Sequence, residues 1–150
     1  MDRYWDLNFN IRKKFDHKEV SSRILELLKE SVRKRLISDV PLGVFLSGGI
    51  DSSAVVCMMA ELMKPKDIKT FSIGFKEKSF DESSDARRVA EYFGTDHHEE
   101  ILDPDVMLDV FPKVLDVLDE PFADSSIIPT YLVSKFTRQH VKVALGGDGG

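Results

Sequence analysis

The segment Val44-Phe45-Leu46-Ser47-Gly48-Gly49-Ile50-Asp51-Ser52-Ser53 restricts the fold of this chain more than any other. Val44, Phe45 and Leu46 form the continuous apolar run of a parallel strand covered on both faces. Gly48 and Gly49 permit positive φ and let a ligand approach the backbone with no Cβ in the way. A helix expected over 51–63 aims its free N–H groups and positive dipole end at the same spot. Ser47, Ser52 and Ser53 add hydroxyl donors. The assembly reads as an anion cradle, for phosphate. It is not a Walker A loop, which needs four residues between its glycines and a lysine after the second; no lysine stands between Arg35 and Lys64. Phosphate charge must then be offset by basic groups elsewhere or by a metal, and Asp51 is placed to hold one. An ordinary βα turn with Asp51 as helix N-cap would need less: Gly-Gly, an acid and three serines crowd seven residues here.

Strand and helix patterns alternate along the rest of the chain. Residues 17–38 read as an amphipathic helix, with Val20, Ile24, Leu27, Leu28 and Leu36 on one broad face and Pro41 as its stop. Strands are expected over 42–46, 69–75, 98–102 and 141–145. A helix over 81–93 should end at Gly94. Asp103-Pro104 reads as N-cap and first helical residue, and Pro112 should split the helical pattern of 103–118 into two pieces. A last helix is expected over 125–140, where Pro129 fits only in the first turn. The pattern predicts an α/β fold, a doubly wound parallel sheet of four or five strands with helices on both faces. Residues 1–16, with Tyr4, Trp5, Leu7, Phe9, Ile11 and Phe15, form an entry segment too aromatic for a disordered tail.

The fourth strand ends in Gly146-Gly147-Asp148-Gly149-Gly150, a second loop stripped of side chains. Open α/β sheets bind ligands at the carboxyl ends of their strands, where strand order reverses. Were strands one and four neighbours across that reversal, the two glycine loops would face one crevice. The sequence supplies both loops and leaves the strand order open, and a flexible tail is the plain alternative for the second loop.

Composition narrows the partners. Acidic residues outnumber basic ones 26 to 21, for a net charge of −5, which argues against nucleic acid. The single cysteine, Cys57, allows no intrachain disulfide, fits a reducing compartment and reads as a small buried hydrophobe. With no long apolar run and no signal-peptide pattern, a soluble cytoplasmic protein with no membrane partner is expected. His97 and His98, adjacent on a strand, should point to opposite faces, which disfavours a shared metal. Arg33-Lys34-Arg35 reads as a solvated helix face. Asp124, Ser125 and Ser126 stand at a helix N-terminus, where capping and a role in binding substrate or AMP are both open.

Ser47-Gly48-Gly49-Ile50-Asp51-Ser52-Ser53 resembles the pyrophosphate loop of the ATP pyrophosphatases, which include GMP, NAD, asparagine and argininosuccinate synthetases. Further segments resemble asparagine synthetase: 39–46 before the loop, Phe71-Ser72-Ile73-Gly74-Phe75, Phe80-Asp81-Glu82-Ser83 and Gly94-Thr95-Asp96-His97-His98-Glu99. So do 119–126 and Gly147-Asp148-Gly149-Gly150. The resemblance implies an adenine nucleotide alpha hydrolase-like fold over 17–150, an ATP-binding synthetase domain cut short at its C-terminus. Residues 1–16 would be the linker from an absent N-terminal glutaminase domain. It implies that Ser47, Gly48, Gly49, Asp51, Ser52 and Ser53 hold ATP phosphates, with Asp51 a ligand of Mg²⁺. Phe45, Leu46 and Ile73 would face adenine, Gly146 and Gly147 would contact the nucleotide, and Asp148 would be the catalytic acid. Aspartate would become β-aspartyl-AMP, and ammonia from glutamine would displace AMP to give asparagine. The resemblance also allows a homodimer of the full-length protein. Two departures stand out: Met1-Asp2 replaces the glutaminase half's leading cysteine, so the isolated chain should lack that activity, and Gly146 stands where many relatives carry serine. A relative adenylating another carboxylate, such as a β-lactam synthetase, and a nucleotide-binding piece inactive on its own are the competing expectations.

Overall fold

The alternation folds, in a computed structural model that describes residues 5–6, 16–77, 81–120 and 123–147, as α1 (His17–Arg35), β1 (Leu42–Phe45) and α2 (Ile50–Leu62), followed by β2 (Lys69–Phe75) and α3 (Ser83–Phe93). Then come β3 (Asp96–Leu102), α4 (Asp105–Leu115), α5 (Ile127–Thr137) and β4 (Val143–Leu145). The strands form one parallel sheet in the order β3-β2-β1-β4. From β1 the chain steps outward through β2 to β3, then returns to lay β4 on the other side of β1. Val44 is thereby in register with Thr70 on one side and Leu145 on the other. Strand order reverses between β1 and β4, the topological switch point of a doubly wound sheet.

Both faces of the sheet are covered, which is why β1 and β2 carry so little polar surface. On one face Val44, Leu46 and Ile68 pack with Val55, Val56, Met58 and Met59 of α2 and Ala86 and Ala90 of α3; Val32 of α1 closes the cluster behind α2. On the other, Leu102 packs with Val110 and Val114 of α4 and Leu132 of α5, with Ile73 and Phe75 against them. Burying each of these valine, leucine, isoleucine, phenylalanine or methionine side chains contributes about 1.5–3 kcal/mol. Cys57 of α2 packs at the border of the first cluster, half-buried, as a small hydrophobe does. Among the described residues no helix is long and apolar enough to cross a membrane.

Several local expectations hold. Gly94 ends α3 at φ +70°, the left-handed residue a helix C-terminus favours, and Pro129 lies in the first turn of α5. Others are corrected. The first helix ends at Arg35, well short of Pro41: Leu36 N–H closes onto Val32 O, and Ser38 Oγ then accepts from Val40 N–H in a small turn. β3 starts at Asp96, because its backbone pairs with β2 along seven positions even where its side chains are polar. α4 runs unbroken through Pro112, whose missing N–H orphans the carbonyl of Leu108. Leu108 is 75% exposed, so water can take that bond. Asp103 does not cap α4; its carboxylate pairs with Lys76 Nζ at 2.7 Å.

Within 1–16, only Trp5, Asp6 and Asp16 are described. Trp5 is exposed, and Asp16 caps α1 by accepting from Lys18 N–H at 2.9 Å. Tyr4, Leu7, Phe9, Ile11 and Phe15 lie outside the described residues.

Candidate functional site

Only residues 46–49 link β1 to α2, and side-chain hydroxyls fix their path. Ser47 Oγ lies 3.0 Å from Ser52 Oγ and accepts from Gly49 N–H at 3.3 Å. Ser52 Oγ in turn accepts from Ser47 N–H, also at 3.3 Å. The N-cap of α2 is Gly49, with no side-chain cap. Asp51 is therefore not the cap; it stands in the helix's first turn, exposed. The first amides of α2, those of Ile50, Asp51 and Ser52, have no intrahelical acceptor and leave a positive end beside the loop.

The loop is clasped from two sides. Gly48 has φ +80°, and a Cβ there would fall 2.7 Å from Ala86 N in the first turn of α3. From the neighbouring strand, Gly147 lies so close that its Cβ would fall 2.7 Å from Ser52 N. The two glycine loops are thus in contact at the switch point.

Between them opens a cleft of about 740 Å³, within the usual range for small-molecule sites. Of the residues singled out in the sequence it gathers Phe45, Leu46, Ser47, Ser52, Ile73, Ser125, Ser126, Gly146 and Gly147. Gly48 and Ser53 line a separate, open groove between α2 and α3. Gly49 and Asp51 sit on the exposed outer edge of the loop. Asp124 stays out of the cleft: its Oδ1 accepts from Ser126 N–H at 2.8 Å, and that bond holds its carboxyl below the ordinary range. This geometry favours a turn-forming role for Asp124. Asp148 lies outside the described residues.

Sequence reasoning passed over Ser72, Glu82, Met107, Thr130 and Val133, which also line the cleft. A signal existed for Glu82, an acid just beyond the carboxyl end of β2. Met107 and Val133 carried none, since apolar residues at helical spacing read as core. His97 and His98 do point to opposite faces. His97 Nδ1 meets Thr70 Oγ1 at 2.8 Å, while His98 stacks on Phe71 with ring centres 5.2 Å apart.

Among the described residues no group of three or more His, Cys, Asp or Glu is arranged to hold a metal ion. Asp51 offers one hard oxygen at the rim of the cradle. That suits Mg²⁺ shared with phosphates, since Mg²⁺ keeps waters and takes one or two carboxylates beside substrate oxygens.

Residues 23–150 match the family model for asparagine synthase. The chain is 42% identical over 147 residues to a Methanocaldococcus jannaschii protein named as a second glutamine-hydrolyzing asparagine synthetase, covering 98% of this chain and 28% of that protein. It is 37% identical over 151 residues to glutamine-hydrolyzing asparagine synthetase 1 of Bacillus subtilis, covering 96% and 24%. The chain thus spans about a quarter of the length of these curated relatives. Among solved structures, the NH3-dependent NAD synthetase of Campylobacter jejuni superposes with a TM-score of 0.53 at 17% identity, over 89% of this chain and 57% of that one. That likeness establishes the adenine nucleotide alpha hydrolase-like fold. With the family model running from within α1 to the end of the second glycine loop, this chain belongs to the asparagine synthase family.

Proposed function

We propose that this chain is the nucleotide-binding part of a glutamine-dependent asparagine synthetase. The supporting observation is the contact of Gly147 with Ser52, which makes one crevice of two loops whose backbones are open to a nucleotide. In this reading the first amides of α2 and the hydroxyls of Ser47 and Ser52 hold the β and γ phosphates of ATP. Phe45, Leu46 and Ile73 face the adenine ring, and Gly146 and Gly147 approach the nucleotide through their backbone. A side-chain carboxylate oxygen of aspartate attacks the α-phosphorus in line; the bond to the bridging oxygen breaks, and pyrophosphate leaves with the electron pair. Ammonia then adds to the acyl carbon of β-aspartyl-AMP, loses a proton and expels AMP, leaving asparagine. Asp148 is the acid assigned to these acyl-adenylate steps.

Asp51 would hold Mg²⁺, which when bound neutralises charge on the departing pyrophosphate. The family resemblance assigns ammonia delivery to a glutaminase domain preceding residue 17, and homodimerisation to the full-length protein. Cys57 as the single thiol accords with a cytoplasmic setting.

The test uses the full-length protein with aspartate labelled by ¹⁸O in its side-chain carboxylate, ammonium and Mg-ATP. Label recovered in AMP, with asparagine formed, is expected. ADP and inorganic phosphate as products, or unlabelled AMP, would overturn the reaction.

A further inference from the structure

The part of the sheet beneath α3 is polar. On that face β2 presents Thr70, Ser72 and Gly74, two residues apart, and β3 presents His97 and Glu99. Thr70 Oγ1 lies 3.0 Å from Thr95 Oγ1 and 2.8 Å from His97 Nδ1, while His97 Nε2 lies 3.3 Å from Ser72 Oγ. Gly74 is so near the start of α3 that a Cβ on it would fall 2.8 Å from Ser83 Cβ. Arg87 of α3 reaches into this layer: its Nη2 donates to Glu99 Oε1 at 2.6 Å, and the bond lifts Arg87 above the ordinary guanidinium range.

Glu99 is the constrained partner of the pair. Its side chain is 15% exposed. Its other oxygen, Oε2, is buried with no hydrogen-bond partner among the described residues, and the nearest histidine nitrogen, His97 Nε2, stands 3.8 Å away. Burial pushes His97 below its ordinary value, so at neutral pH the ring brings no charge to Glu99. Arg87 therefore supplies the compensating charge, and a carboxylate this far from water holds its cation tightly. Apolar burial, as of Ala86 and Ala90, holds a helix down but is non-directional and leaves its position along the sheet loose. A charge-assisted hydrogen bond fixes that position, because it needs one distance and one angle.

The residue just before Arg87 touches the first glycine loop. A Cβ on Gly48 would fall 2.7 Å from Ala86 N and 2.6 Å from Asp85 Cβ, so any shift of this turn presses on the loop or opens a gap beside it. We infer that Arg87 and Glu99 are positioning residues for phosphate binding: their ion pair sets where the first turn of α3 stands against Gly48, and so sets the shape of the loop. This rests on the nucleotide reading above. Neither residue touches the ligand; both act through α3.

Calorimetric titration of the full-length protein with magnesium pyrophosphate and with adenosine tests it, since in that reading pyrophosphate meets only the loop and adenosine only the walls that face the base. Arg87→Met should weaken pyrophosphate about 10-fold, the usual cost of one misplaced hydrogen bond to a charged group, and leave adenosine unchanged. Arg87→Lys, which keeps a cation for Glu99, should recover most of the loss. Arg87→Met combined with Glu99→Leu leaves no buried charge unpaired and so keeps the fold; it should remain as weak for pyrophosphate as Arg87→Met alone. Wild-type pyrophosphate affinity in that double variant would overturn the inference, because apolar packing would then set the loop equally well. Equal weakening of both probes would also overturn it, as the mark of a merely structural pair. A wild-type protein that binds neither probe at millimolar concentration would instead overturn the nucleotide reading itself.

Discussion

Gly48 lies against Asp85 so closely that a Cβ on the glycine would fall 2.6 Å from the Cβ of Asp85. The first glycine loop is thereby held between the helix it opens, α2, and the first turn of α3. The loop's shape therefore depends on a residue far along the chain.

Gly48→Ala should accordingly cost both stability and ligand binding. It forces an alanine to φ +80° and into backbone atoms of α3, at about 1–3 kcal/mol for the strain. A melting temperature lower by roughly 2–10 °C is expected, together with loss of nucleotide-induced NMR shifts. An unchanged melting curve would show that the loop and α3 separate freely.

At the other loop, Gly147→Ala tests the contact between the glycine loops. Its methyl would meet the Ser52 amide, while the flanking strand β4 is only three residues long. Nucleotide affinity should fall at least tenfold, and the melting temperature should move far less than in Gly48→Ala. Calorimetry and titration on the same samples separate the two effects.

Asp51 can be probed without confusion from capping, since the cap of α2 is Gly49. Both Asp51→Asn and Asp51→Ala should stay within about 1 kcal/mol of wild type, the size of a first-turn charge–dipole effect. If Asp51 is a ligand of Mg²⁺, both should abolish most ATP–pyrophosphate exchange in the full-length enzyme. Wild-type exchange in the Asn variant would remove the metal assignment.

Acid unfolding should occur in two separable stages. Burial depresses His97 below its ordinary 6.5, so the unfolded chain takes up this proton first. Its contribution is complete above 6.5 and declines as pH falls from there through the folded-state value. A side-chain hydrogen bond with Ser83 is the main cause that depresses the Asp81 carboxyl below 3.8, and its Oδ1 also accepts from Ser83 N–H at 3.1 Å and Phe75 N–H at 3.4 Å. That contribution is complete above 3.8 and is lost only as pH falls through the lower folded-state value. Urea midpoints against pH should therefore lose their upper slope in His97→Gln and part of their lower slope in Asp81→Asn. A pH profile identical to wild type in either variant would contradict the assignment.

The sequence by itself determined the alternating α/β pattern, the strand and helix on either side of the first glycine loop, the Gly94 stop and the first-turn place of Pro129. Each is set by interactions within a few residues: apolar period, glycine conformation, or a missing N–H. Tertiary structure decided what depends on partners distant in the chain. The order β3-β2-β1-β4 brought Gly147 onto Ser52, a relation no local pattern encodes because strand order is chosen by how helices cover both faces. It extended β3 over polar Asp96 and His97 through backbone pairing with β2. It turned Asp103 to Lys76 in place of a helix cap. It also gave Ser72, unremarkable in a strand pattern, a histidine and a carboxylate behind it, because only packing across the sheet puts residues 25 or more positions apart within hydrogen-bond reach.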